Sequence, residues 1–276
     1  MIKCDTYGTN HFKTYSAVIG ERYTDFGGYF AESPMLSDNS CLDATMQMND
    51  DAQAWHALRR KCDTGGTGLR ATYNLWKGWL RKTFNTAAHA KASQEMTVRD
   101  GGAVPVPRKV NMRYFLLGIV AHGVQDSFSE EHAVRTRDWK KVSDFKTYVH
   151  TEGAPEHNHG KPIGPAHGDF IFTKEWRKGA ALPVGLKPSA VAAASATAAL
   201  FRAFERASAN PASADQVFDA FALQWLQLDA SSVRLKDNAA YKPCKSNAVV
   251  EQKRAACLKE SGTDLDHQFP KISRLR

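Results

Sequence analysis

The chain has 276 residues, 42% hydrophobic and 10% aromatic, which is enough apolar side chain for a substantial core within one domain. No apolar run approaches the roughly 20 residues needed to cross a bilayer, which argues against an integral membrane protein. The formal net charge of +8 points to an anionic partner, such as a phosphate ester, a nucleic acid or an acidic lipid surface, without choosing among them.

The first forty residues read as irregular, with turns at Gly27-Gly28, Ser33-Pro34 and Asp38-Asn39-Ser40. The opening MIKCDTYG lacks a charged-then-apolar signal segment and, taken alone, implies a cytosolic chain. A helix is expected near Asp50 to Lys61, then a turn at Gly65-Gly66, then an amphipathic helix from about Leu69 to Phe84. On that helix Tyr73, Trp76, Leu80 and Phe84 recur at helical spacing, a stripe that reads as core rather than as a binding platform. His89 is placed beyond its end. The segment Asp100 to Pro107 is expected to be a connection, with Pro107 close to the start of the next helix, which begins near Val110.

That helix runs into LLGIVAHGVQDSFSEEHAVR, Leu116 to Arg135, the most informative stretch of the chain. His122, Asp126 and His132 stand there in the order H-x3-D-x5-H. A spacing of four puts His122 and Asp126 one turn apart on one helix face, where an imidazole and a carboxylate can share a metal. Six further residues of unbroken helix would rotate His132 away by roughly 240°. His132 therefore reaches the same spot only if the helix breaks around Ser127 to Ser129, and more naturally serves a second ion. Beyond it, the Gly/Pro-rich stretch TEGAPEHNHGKPIGPAHGDF is not regular helix and carries His157, His159, His167 and Asp169, with His150 just before it.

Farther along, Phe170 to Trp176 is a short extended or helical piece. Leu186-Lys187-Pro188-Ser189 opens an alanine-rich helix to about Ala207, with Pro188 where its missing N–H is not needed. Another helix is expected from Ala214 to Leu228, offering Val217, Phe218, Phe221, Leu223 and Leu226 to a core. The tail from Lys236 is polar and basic, with one short helix around Ala248 to Glu260. No internal repeat, Gly-rich phosphate loop or alternating strand pattern is visible, which argues against Rossmann, P-loop and sandwich folds. The expectation is a mainly helical single domain, 1–276, with a peripheral tail after about 236.

Five cysteines, Cys4, Cys41, Cys62, Cys244 and Cys257, do not form the close pairs of a Cys-type zinc site. Cys41 and Cys62 bracket one segment and Cys244 and Cys257 another, so the alternatives are two disulfides with one cysteine left over, in an oxidising compartment, or five reduced thiols. Arg108, Lys109 and Arg113 before the motif, and Arg135, Arg137, Lys140 and Lys141 after it, either rim a phosphate site or lie on solvated faces.

H-x3-D-x5-H after a hydrophobic helix resembles the zinc-dependent phospholipase C and S1/P1 nuclease superfamily. The match covers the motif and is weak elsewhere. The resemblance implies an all-α, multi-helix bundle with long loops, and a phosphodiesterase holding two or three zinc ions. It further implies that His122 and Asp126 bind one zinc, that Asp126 bridges to another, and that His132 binds a further ion. An upstream ligand is also implied, for which His56 in DDAQAWHALRRK is the best candidate. Asp43 is slightly favoured over Asp50 and Asp51 as a ligand or water-orienting base, and His11 resembles the family's early His. The family's downstream His followed four residues later by an acid is missing here, which leaves His157, His159, His167 and Asp169 as the pool, with His157 and Asp169 ranked first. Arg135 would contact the substrate. Family members are exported, which conflicts with the plain amino terminus and suggests a secreted or periplasmic protein. A phospholipid or other phosphodiester is the implied substrate, with peripheral contact to a membrane surface. Nucleic acid is the alternative substrate, and a non-catalytic protein with structural zinc is the alternative from another class.

Overall fold

The computed structural model describes residues 16–18, 56–60, 62–100, 106–147 and 187–231. Long α-helices dominate these residues: α1 (Gly65–His89), α2 (Met112–Asp126), α3 (Pro188–Ala209) and α4 (Ala214–Trp225). Short strands join them in two small sheets, β1 (Glu95–Asp100) with β2 (Val106–Asn111), and β3 (Ala133–Arg135) with β4 (Lys141–Phe145) and β5 (Gln227–Leu228). The class is thus largely helical, as expected, with strands that the pattern of the sequence did not announce.

α2 is the central helix. Every residue from Phe115 to Val124 is buried, and a helix that is apolar on all sides belongs inside. It packs against α1 and α3, while α4 lies against α1 and α3. The aromatic stripe of α1 is core, with Trp76, Leu80 and Phe84 wholly buried and Tyr73 partly so. Phe84 meets Phe204 of α3 at 5.7 Å and Phe218 of α4 at 5.4 Å between ring centroids, so three helices share one aromatic cluster.

Helix ends are set by particular groups. α1 begins at Gly65, whose φ of 62° is left-handed backbone open to glycine at little cost. One turn on, a Cβ at Gly68 would fall 2.1 Å from the carbonyl carbon of Asp63, so the helix approaches that backbone as only glycine permits. At the other end Arg113 donates through Nε to the Ala90 carbonyl at 3.0 Å, bringing a cation to the helix C-terminus. α2 starts at the Asn111 cap, whose side chain accepts from the Tyr114 N–H and donates to the Ala92 carbonyl at 2.8 Å. Pro188 occupies the first turn of α3, as its fixed φ favours.

Several expectations need correction. Residues 56–60 form no helix: Ala57 has φ 52°, and Arg59 makes a parallel bridge with Thr147. Gly65 and Gly66 are the first residues of α1 rather than a turn before it, and His89 is its last residue, bonded through Nδ1 to the Asn85 carbonyl. Pro107 lies in β2, so the motif helix starts only at Met112. α4 ends at Trp225 because the chain then turns into β5, which pairs in parallel with β4. Leu223 is 68% exposed and joins no core. The helix expected over 248–260, the piece at 170–176 and the His-bearing loop lie outside the described residues.

Candidate metal centre

The motif helix stops at Asp126, and the turns that follow reverse the chain. Ser127, Phe128 and Ser129 donate their N–H groups to Val124, Gln125 and Asp126, then His132 N–H bonds back to the Ser129 carbonyl at 3.0 Å. This is the break that the spacing of the motif set as the condition for His132 to reach the spot shared by His122 and Asp126. His132 consequently returns to the end of the helix it had left.

Around Asp126 three imidazoles converge on one oxygen. Asp126 Oδ2 lies 3.0 Å from His56 Nδ1, 3.1 Å from His122 Nε2 and 3.7 Å from His132 Nδ1. The one-turn relation of His122 and Asp126 is therefore real geometry. His56 comes from the irregular segment before α1, and its ring stands edge-on to His122 at 5.4 Å between centroids. Donor atoms of His56, His122 and Asp126 all lie within 4.8 Å of one another, a group able to hold a metal ion. In a tetrahedral zinc site with bonds of ~2.1 Å, neighbouring donor atoms stand roughly 3.4 Å apart, so only small adjustments would seat an ion. The negative end of the α2 macrodipole, where the carboxylate and His122 sit, also favours a cation.

His132 belongs to the cluster in a different way. Its Nδ1 donates to the backbone carbonyl of His56 at 2.6 Å, which fixes the tautomer and turns the ring. The same backbone is stitched to β4: Arg59 N–H donates to the Lys146 carbonyl at 2.7 Å, and Lys146 N–H donates to the His132 carbonyl at 2.8 Å. Segment 56–60, the turn after Asp126 and the end of β4 are thus tied edge to edge.

The charges of the cluster are strongly coupled. Burial by itself would raise the Asp126 carboxyl, but the facing His122 and His132 charges and the hydrogen bonds from His122 and His56 outweigh it, holding the group well below its ordinary 3.8. Asp126 is an anion. Burial pulls His132 down from 6.5, against the opposing pull of Asp126, so it tends to the neutral form that a metal requires. His56 and Asp126 keep 15% and 12% of their side-chain surface exposed, so the cluster opens at one edge.

The corner rests on buried polar groups that sequence reasoning missed. Arg59 is fully buried, donates through Nη1 to the Asp63 and Gly65 carbonyls, and pairs through Nη2 with Asp144. Asp63 is itself buried and accepts from Arg60 Nε at 2.7 Å and Thr72 Oγ1 at 2.6 Å. Arg59 and Asp144 are separated by 85 positions, and no local pattern joins them. Trp76 of α1 donates its indole N–H to the Gly123 carbonyl at 3.1 Å, anchoring the turn of α2 that carries His122.

Two basic residues expected at a phosphate rim are committed elsewhere. Arg113 caps α1, and Arg135 gives its guanidinium to backbone carbonyls and to Ser127, so the structure offers it as a structural group rather than a substrate contact. Burial lowers its pKa to about 9, only partly opposed by Asp138. Arg137, Lys140 and Lys141 are exposed. Asp43, His11, His157, His159, His167 and Asp169 lie outside the described residues. Cys62 is disulfide-bonded, which overturns the alternative of five reduced thiols; the other four cysteines lie outside the described residues. Among the described residues, no helix is long and apolar enough to cross a membrane.

No family model matches the chain, and no solved structure matches it. Over 214 residues it is 33% identical to hemolysin-1 of Aeromonas salmonicida, an alignment covering 72% of this chain. The chain spans 36% of the length of that relative.

Proposed function

We propose that this chain is a zinc-dependent phosphodiester hydrolase of the phospholipase C type. The observation that carries the proposal is the convergence of His56, His122 and Asp126 at the end of α2, with His132 returned beside them. This is the order and chemistry of the H-x3-D-x5-H motif, realised in a largely helical fold. His56, His122 and Asp126 would hold the first ion, and His132, its Nδ1 committed to the His56 carbonyl, would present Nε2 to the same ion or a neighbour. Candidates for further ions are Asp43, His11 and the pool His157, His159, His167 and Asp169.

Zinc supplies Lewis-acid chemistry and activates water for attack on phosphorus. The chain's own part is to supply the Asp126 carboxylate, the imidazoles of His56, His122 and His132, and an edge open to substrate. Between substrates, the name of the Aeromonas relative weighs toward phospholipid over nucleic acid, since haemolysis is the rupture of a membrane. The disulfide at Cys62 agrees with an exported protein.

Metal analysis of protein purified without chelator, paired with hydrolysis of a chromogenic phosphodiester, tests this directly. Two or three zinc ions per chain and turnover abolished by chelator are expected, and Asp126→Asn should lose both metal and activity. Stoichiometric zinc without turnover of phospholipid, nucleic acid or model ester would return the cluster to a structural role. Turnover that survives complete removal of metal would refute the proposal.

A further inference from the structure

We propose that Arg135 is a positioning residue for the metal centre, holding closed the turn that brings His132 back to Asp126. The proposal rests on the zinc reading of the His56, His122 and Asp126 cluster.

Arg135 joins three separate pieces of chain. Its Nη1 donates to Ser127 Oγ at 2.8 Å and lies 3.4 Å from the Ser127 carbonyl. Nε donates to the Trp139 carbonyl at 3.0 Å, and Nη2 reaches the Lys140 carbonyl at 3.4 Å and the Trp225 carbonyl at the end of α4. The ring of Phe128 lies under the guanidinium carbon at 3.8 Å. Among the described residues these contacts are to acceptors or a ring of the protein, which makes this side chain a clamp rather than a hand extended to substrate.

The position of the clamp is what matters for a metal. Ser127 caps α2 and directly follows Asp126, while Arg135 closes β3, three residues after His132. The guanidinium therefore bridges the two ends of the turn that carries His132, and fixes that ring relative to the carboxylate. Zinc tolerates displacements of only ~0.2 Å in its bonds, so slack in this turn would be felt at the ion. A planar fork with five donors can serve three directions at once, whereas an ammonium on a flexible stem cannot. Arg135→Lys should then keep the charge and lose the bridge.

Cobalt(II) provides a readout that fold stability alone does not move, because its visible d–d absorption reports the geometry of the ligands. Titration of the full chain with cobalt should give a defined spectrum. Arg135→Lys, with far-UV circular dichroism unchanged, should bind about tenfold more weakly with a shifted band, the order of loss seen when an outer-shell support of a metal ligand is removed. Unaltered affinity and spectrum in folded Arg135→Lys would overturn the positioning role while leaving the metal centre intact. Should Arg135→Lys fail to fold, Ser127→Ala, which deletes the Oγ contact to Arg135 together with the Oγ–H bond to the Val124 carbonyl, decides by the same titration: a weakened, shifted spectrum supports the clamp and an unchanged one overturns it. No cobalt binding by the unaltered chain would overturn the metal centre itself, and the positioning role with it.

Discussion

The helical core and the corner that carries the candidate metal centre are built on opposite principles. Where α1, α3 and α4 meet, Phe84, Phe204, Phe218, Leu80 and Leu200 are held by apolar contact spread over many neighbours. Around Asp126 the chain buries Arg59, Asp63, His122, His132 and Ser127, polar side chains held by directed hydrogen bonds and ion pairs. Non-directional packing tolerates small rearrangements, whereas a directed bond in a low-dielectric setting is satisfied or costly. The core supplies stability and the corner supplies geometry.

The contrast can be broken by crossing the two. Phe84→Ala should cost about 4 kcal/mol of unfolding free energy, measured by urea titration, since it opens a cavity among three helices. Its cobalt affinity should stay within a factor of two of the unaltered chain; a large loss would show that the core also shapes the centre. Arg59→Met should cost about 3 kcal/mol, because it strands the half-buried Asp144 without its cation. Unlike Phe84→Ala it should also weaken cobalt binding severalfold, since the lost guanidinium ties the segment bearing His56 to the Asp63 and Gly65 carbonyls and to Asp144. Equal metal affinity in the two variants would erase the distinction between core and corner.

Smaller, and confined to the corner, is the effect of pH on the metal-free protein. The folded pKa of His132 is depressed below 6.5, so on acidification the unfolded chain takes up a proton before the folded one does, and stability falls as pH drops below about 6.5. Asp126 adds a second decline: its folded pKa lies well below 3.8, so the stability it lends is full above about 3.8 and is lost as pH falls toward that lower value. His132→Gln should remove the first decline and keep the second, as followed by thermal melts across pH in the presence of chelator. A first decline unchanged in His132→Gln would assign it to another histidine.

How much of this was legible follows the same division. The aromatic stripe of α1, the Pro188 start of α3 and the pairing of His122 with Asp126 are local patterns, and sequence spacing reads local patterns well. The end of α2 was foreseeable as a condition, since His132 could come home only through a break after Asp126. What escaped depends on distant partners. Residues 56–60 are helix-like in composition, but Arg59 pairs with Thr147 and its side chain with Asp144, and those contacts override propensity. β1 and β2 carry no clean alternation, and β5 has two residues, too few for any periodicity. Arg135 reads from the sequence as a substrate contact or a solvated charge; only the acceptors that three separate pieces of chain place around it show otherwise.

The parallel pairing of β5 with β4 also sets an order of events in the life of the chain. Synthesis runs from the amino terminus, and His56, His122, Asp126 and His132 all emerge long before Gln227 and Leu228 are added to Lys141 and Val142. The carbonyl of Trp225, which takes one arm of Arg135, arrives equally late. A nascent chain thus holds all four side chains of the cluster before it holds the strand that joins β4 in the neighbouring sheet.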